Sequence, residues 1–118
     1  MKRLITAAAL LVGLVGCSNK IDPVGVYLLD TGGKSYTLTM RTGGDYSLNI
    51  ASPGIRGDEI RGRWQDEDGT GRSISFSGIV WAGTEPQAGN GYWKANIEGR
   101  SQKICLDGEG LTCFSKKQ

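Results

Sequence analysis

Three thiols carry most of the chemistry that this sequence can offer, because the chain has three cysteines and no histidine. The cysteines are Cys17, Cys105 and Cys113. A thiolate can act as a nucleophile, bind a metal ion or form a disulfide. Without histidine, the usual general base, the usual pH switch and the commonest metal ligand are all missing. The cysteines are therefore the first candidates for a functional role.

The residues before Cys17 are arranged like an export signal. Lys2 and Arg3 supply positive charge, and residues 4–15 form a mainly apolar stretch. A transmembrane helix needs about 18 or more apolar residues, and this stretch is shorter than that. The pattern predicts a signal peptide that forms a helix within residues 1–16 and is removed during export.

The segment Leu14-Val15-Gly16-Cys17 resembles the lipobox of bacterial lipoproteins at every position. The resemblance implies that the Cys17 thiol receives a diacylglycerol, that a peptidase cuts after Gly16, and that the new amino group is acylated. Two or three acyl chains would hold the protein firmly on a membrane. Ser18 follows where many inner-membrane lipoproteins of Gram-negative bacteria have Asp, so the resemblance favours the outer membrane, facing the periplasm. The alternative is an ordinary secretory signal with an incidental cysteine.

Export would place Cys105 and Cys113 in an oxidising compartment, where they should form a disulfide. The sequence between them is nearly symmetric about Glu109, so a hairpin that turns at residues 107–110 would set the two cysteines opposite each other. A redox-active pair is the alternative, but such pairs usually lie closer together at the start of a helix. The spacing predicts a structural disulfide.

An acidic loop could bind a cation. Residues 66–71, Asp66-Glu67-Asp68-Gly69-Thr70-Gly71, place clustered carboxylates before glycine, and calcium favours clustered oxygen ligands. The segment lacks the regular spacing of an EF-hand, and a solvent-exposed hairpin tip is the expected structure. We expect no metal and no cofactor.

Four arginines surround one predicted hairpin: Arg56, Arg61, Arg63 and Arg72. Arg61 and Arg63 lie on the same face of a predicted strand and could hold a carboxylate or phosphate between them. The expected alternative is pairing with the neighbouring acids, which are Asp58, Glu59, Asp66 and Glu67.

The segment from Trp81 to Gly91 is rich in Gly, Pro and polar residues, which predicts a long irregular loop. Long ordered loops on a β scaffold often carry recognition, so this loop is the preferred contact surface. The candidate partner-binding residues are Trp81, Glu85, Gln87, Asn90, Arg61 and Arg63. An unstructured connection is the alternative. Trp64 and Trp93 fall on apolar strand faces and are expected in the core.

No segment of the sequence marks a catalytic site. Serines are plentiful, but without histidine a Ser-Lys pair or a pair of carboxylates would have to do the chemistry. Two carboxylates could act as in a glycosidase even when they are far apart in the chain. We expect a protein that is not an enzyme.

After residue 20 the sequence follows a two-residue period. The clearest predicted strands, each with one apolar and one polar face, are residues 36–41, 46–50, 60–65, 73–77 and 93–98. No segment in this part has the apolar spacing of a helix. Together with residues 24–29 and two short strands at the cysteines, the pattern predicts an all-β fold. It is an antiparallel meander of about eight strands, in a small barrel or a two-sheet sandwich.

The predicted organisation is a signal peptide at 1–16, a lipidated tether at 17–23 and one β domain at 24–118. The formal charge of +2 comes from Lys2 and Arg3, and the near-neutral remainder argues against nucleic acid as a partner. We expect a non-enzymatic binding module that engages a protein, such as an envelope component, a toxin or a lytic enzyme. The alternatives are a carrier of small hydrophobic ligands and a purely structural lipoprotein. The Gly-x-aromatic repeats resemble those of small lipocalin-like envelope lipoproteins, which implies a lipocalin-like barrel for the carrier; they are Gly25-x-Tyr27, Gly44-x-Tyr46, Gly62-x-Trp64 and Gly91-x-Trp93.

Overall fold

Alternation of apolar and polar residues produces eight strands in the part of the chain that the structure describes. The computed structural model describes residues 20–107 and 109–117, apart from the side chains of residues 55 and 56. The expected signal-peptide helix and lipobox lie outside these residues. The strands are β1 (Gly25–Thr31), β2 (Lys34–Arg41), β3 (Asp45–Ser52), β4 (Ile55–Asp66), β5 (Ser73–Ala82), β6 (Glu85–Glu98), β7 (Lys103–Cys105) and β8 (Cys113–Lys116).

The strands form a closed barrel in which each strand pairs antiparallel with the next. β1 and β8 close the barrel, with Tyr27 opposite Lys116 and Leu28 opposite Ser115. The predicted all-β meander is therefore confirmed, and the barrel rather than the sandwich is formed. We call the end with the β1–β2, β3–β4, β5–β6 and β7–β8 turns the upper end. The lower end carries the other three turns and both ends of the barrel sequence.

Inward-facing side chains fill the barrel. Met40, Leu48, Phe76 and Trp93 belong to one buried cluster, and Trp64 is partly buried against it. The Phe76 ring stacks on Trp93 with the ring centroids 4.6 Å apart. This arrangement is a packed core of the kind that leaves few voids in protein interiors.

The upper half of the β5–β6 hairpin folds across the upper end. We call residues 78–91 the flap. Its tip contacts β2, since the Tyr36 hydroxyl donates to the carbonyl oxygen of Thr84 (2.9 Å) and Lys34 pairs with Glu85 (3.1 Å). β2 and β6 are four strands apart in either direction around the barrel, so the flap must span the opening.

A register shift at the foot of the flap makes this bend possible. Ser77 pairs with Tyr92, but Ile79 pairs with Ala88, so residues 89–91 of β6 stand opposite the single residue Gly78. Gly78 has a φ of 85°, a conformation that residues with a side chain rarely adopt. The shift also reverses the alternation, because Phe76 and Ile79 both face inward.

The residues before β1 cross the lower end. We call residues 20–24 the strap. The Ile21 amide donates to the carbonyl oxygen of Thr70 in the β4–β5 turn (2.8 Å), on the side of the barrel opposite β1. Ile21 packs against the core, and the Tyr27 hydroxyl donates to the carbonyl oxygen of Pro23 (2.7 Å). The part of the expected tether that the structure describes is thus bound to the barrel.

The disulfide between Cys105 and Cys113 is confirmed. The two residues are direct partners of the β7–β8 pair, with Cα atoms 3.9 Å apart. The Asp107 carboxylate accepts hydrogen bonds from the amides of Leu111 and Thr112, each at 3.1 Å. These charged hydrogen bonds lower the pKa of Asp107 below its ordinary value. The hairpin is therefore fixed both by the disulfide and by its turn.

Candidate functional site

A tyrosine on the outside of the barrel is the most exposed aromatic residue among those described. Tyr92 is 74% exposed and pairs with Ser77, directly after the register shift at residues 89–91 of β6. Trp93 faces the core, so alternation turns Tyr92 outward. A large aromatic ring in water is costly in solvation but well suited to contact with a partner.

A row of outward side chains connects Tyr92 with an arginine across three strands. Tyr92 of β6 is opposite Ser77 of β5, whose hydroxyl lies 3.3 Å from both the amide nitrogen and the carbonyl oxygen of Arg63 in β4. The Arg63 guanidinium donates to the carbonyl oxygen of Gly43 (2.8 Å), which holds the side chain in place. The guanidinium is thus turned toward the β2–β3 turn, away from β6, and Arg63 and Tyr92 share only the lining of one cleft.

Open clefts lie on both sides of the Tyr92 ring. One, of about 310 Å³, is lined by Arg63, Trp64, Gln65, Ser75, Ser77 and Tyr92. The other, of about 270 Å³, lies at the foot of the flap, where Asn90 and its flanking glycines leave the backbone accessible. We call the surface formed by Arg63, Gln65, Ser77, Asn90 and Tyr92 the Tyr92 face. It offers an aromatic ring, a cation and polar groups to the same contact.

The prediction of a long irregular loop from Trp81 to Gly91 is wrong, because residues 85–91 belong to β6 and residues 81–82 to β5. Trp81 points under the flap instead of toward solvent. Its ring lies 5.1 Å from Trp93 and 6.2 Å from Tyr36, measured between centroids. Its position in the core follows from the shift at Gly78, which the glycine-rich sequence did not reveal.

The other candidate binding residues do not share one surface. Arg63 and Asn90 both belong to the Tyr92 face. Gln87 lines a different cleft, beside β4. Glu85 forms the ion pair with Lys34 at the flap tip, and this partner raises the pKa of Lys34.

The arginines do not form one anion site. Arg61 pairs with Glu59 of the same strand (2.9 Å) and is exposed, as expected for a solvated strand face. Arg63 is bound to a backbone carbonyl near the lower end. The guanidinium of Arg56 is outside the described side chains. Arg61 and Arg63 share the outer face of β4, as predicted, but each is held by a different group.

The Asp66 and Asp68 carboxylates of the acidic loop accept hydrogen bonds from other residues of the same loop. Asp66 accepts hydrogen bonds from the amides of Gly69 (3.0 Å) and Gly71 (2.9 Å). The Asp68 carboxylate accepts from the hydroxyl and the amide of Thr70, which lowers the pKa of Asp68. Within the described residues no group of three or more possible ligands could hold a metal ion. Turn geometry accounts for these acids.

Comparisons of the chain with protein-family models, with curated proteins and with solved structures find no match. Within residues 20–107 and 109–117, no helix has the length and apolar character that crossing a membrane requires.

Proposed function

We propose that this chain is a lipoprotein, acylated on Cys17 and held on an envelope membrane, whose barrel binds a protein partner through the Tyr92 face. The observation that carries the proposal is the tyrosine, 74% exposed between two clefts, one of which Arg63 also lines. Tyr and Arg are enriched among the residues that dominate binding energy at protein interfaces. The filled barrel leaves the outer surface as the place for contact.

The proposed location is the outer membrane, on its periplasmic side, with an inhibitor, immunity or envelope-assembly role. The lipobox residues and Ser18 support this location for a Gram-negative host. A disulfide supports it independently, since disulfides persist in the periplasm and are rare in the cytosol. Release from the membrane fraction is the expected result of Cys17→Ala, and retention there would contradict the anchor.

The partner-binding proposal is tested by native mass spectrometry of the mature protein, gently extracted from the envelope of its own host. We expect a second polypeptide in the complex and, once it is known, binding weakened roughly 30-fold by Tyr92→Ala, the size of a loss of about 2 kcal/mol. Leu28→Ala is the matched control, because Leu28 is 44% exposed on β1, across the barrel from β5. Equal binding by Tyr92→Ala and the natural protein would contradict the proposed surface.

A carrier function is the second candidate, and one observation favours it. The Trp81 indole nitrogen is buried under the flap and has no hydrogen-bond acceptor among the residues that the structure describes. A ligand that entered beneath an opened flap could accept this hydrogen bond among the rings of Tyr36, Trp93 and Phe114. The same mass spectra distinguish the two candidates, since a co-purified small molecule beyond the lipid on Cys17 would support the carrier. Trp81→Phe should then weaken its retention.

A further inference from the structure

The strap leaves little free chain between the barrel and the proposed anchor. Ile21 is four residues after Cys17, and an extended chain spans at most about 3.6 Å per residue, so their Cα atoms lie within roughly 14 Å of each other. The Ile21 amide is bound to Thr70 in the β4–β5 turn. The acylated residue must therefore lie close to the lower end.

The upper end of the barrel is too far from Ile21 for the acylated residue to lie beside it. β2 has eight residues, and a strand rises about 3.3 Å per residue, which gives a length of roughly 26 Å before tilt. A bilayer surface at the anchor would meet the β2–β3, β4–β5 and β6–β7 turns first. The flap and the disulfide hairpin would lie on the far side.

The distribution of charge favours the same orientation. Exposed basic residues at the lower end include Arg100, Lys103 and Lys117, whereas exposed acidic residues at the upper end include Asp30, Glu85 and Glu109. A basic residue near an anionic lipid surface contributes about 1 kcal/mol of attraction. The acidic loop at residues 66–68 opposes this attraction. Near the β6–β7 turn, exposed Asp22 and Glu98 offset part of the basic charge, but Arg100, Lys103 and Lys117 outnumber them, so this side of the lower end should lie nearest to the lipid.

We infer that the lower end of the barrel rests on the membrane surface, with the β6–β7 turn toward anionic phospholipid headgroups and the flap directed away. The inference depends on the proposed acylation of Cys17. It gives the strap a role beyond covering the lower end, because the contacts of the strap fix where the anchor lies relative to the barrel.

The test uses the acylated protein, purified from membranes and reconstituted in vesicles of phosphatidylethanolamine and phosphatidylglycerol that carry a headgroup-linked quencher. A fluorophore is attached to Ser101→Cys in the β6–β7 turn or to Ala51→Cys near the upper end, both at exposed positions. We expect quenching roughly threefold or more stronger at residue 101, since strands rising about 3.3 Å per residue separate the two sites. Equal quenching, or stronger quenching at residue 51, would overturn the orientation.

A matched pair of glycine variants tests the strap. A Cβ atom at Gly71 would fall on the carbonyl oxygen of Ile21, whereas one at Gly69 would meet open space. Both glycines have a φ close to 78°, so Gly69→Ala controls for backbone strain. Gly71→Ala should make the quenching at residues 51 and 101 more nearly equal, and Gly69→Ala should preserve the difference. Preservation in both variants would contradict the role of the strap.

The membrane fraction separates failure of the anchor from failure of the orientation. If the natural protein does not float with the vesicles and matches Cys17→Ala, the acylation proposal fails and the orientation falls with it. If the protein floats but the two labels are quenched equally, the anchor stands and only the orientation is wrong.

Discussion

Raising the pH from 10 to 12 should remove about 4 kcal/mol from the free energy of unfolding, because two buried tyrosines must ionise. Burial raises the pKa of Tyr27 to about 12, and burial likewise raises the pKa of Tyr46 to about 12. Both phenols are essentially inaccessible and donate to backbone carbonyls, Tyr27 to Pro23 and Tyr46 to Ser77, each at 2.7 Å. An ionised phenol could not donate these hydrogen bonds.

The direction of this pH dependence follows from the pKa of tyrosine in the unfolded and the folded states. In the unfolded chain a tyrosine ionises near pH 10, whereas in the barrel these two ionise near pH 12. Stability is complete below pH 10 and falls as the pH rises toward 12, by about 2 kcal/mol for each tyrosine. Because a small domain has only about 5–15 kcal/mol in total, the loss is large.

Urea unfolding followed by circular dichroism, at intervals from pH 9 to 12, measures this loss. Tyr46→Phe keeps the ring in the core and removes one of the ionising groups, so it should reduce the decline by about 2 kcal/mol. Tyr27→Phe should do the same, and should also remove one contact of the strap, the hydrogen bond of this hydroxyl to Pro23. A free energy of unfolding that stays constant to pH 12 would contradict the burial of these hydroxyls.

The strands could be predicted from the sequence because their signal is local. Tyr36, Leu38 and Met40 alternate with polar residues, and all three are buried. The closure of the barrel could not be predicted, since it depends on pairing between β1 and β8, which are far apart in the sequence. The disulfide hairpin was predictable because the cysteines, the turn and their symmetry lie within one short segment.

The candidate site was only partly predictable. Alternation with Trp93 is enough to place Tyr92 outside the barrel, but nothing in the sequence marks it as a binding residue. The flap could not be read from the sequence, because the shift at Gly78 reverses the inward face within one strand. The strap has no periodicity, and its partner Thr70 is distant in the sequence. Such contacts arise only when the whole barrel has formed.

Replacing Phe76 by Ala should lower the free energy of unfolding by about 3–5 kcal/mol, the usual cost of removing a buried phenylalanine from a close-packed core. Phe76 is inaccessible, stacks on Trp93 at 4.6 Å and meets the edge of Tyr46 at 5.1 Å, between ring centroids. Chemical denaturation measures the loss, with Leu28→Ala as a surface control. That control should cost less than about 1 kcal/mol, because its side chain is 44% exposed.

The size of this loss also bears on function. A packed interior cannot hold a ligand without displacing side chains, whereas a carrier has an internal cavity in which a ring can be lost at little cost. A loss below about 1 kcal/mol for Phe76→Ala would contradict the packed core and favour the carrier. A loss close to 5 kcal/mol would leave the outside of the barrel as the place for binding. The Tyr92 face would then be the surface on which to look for the partner.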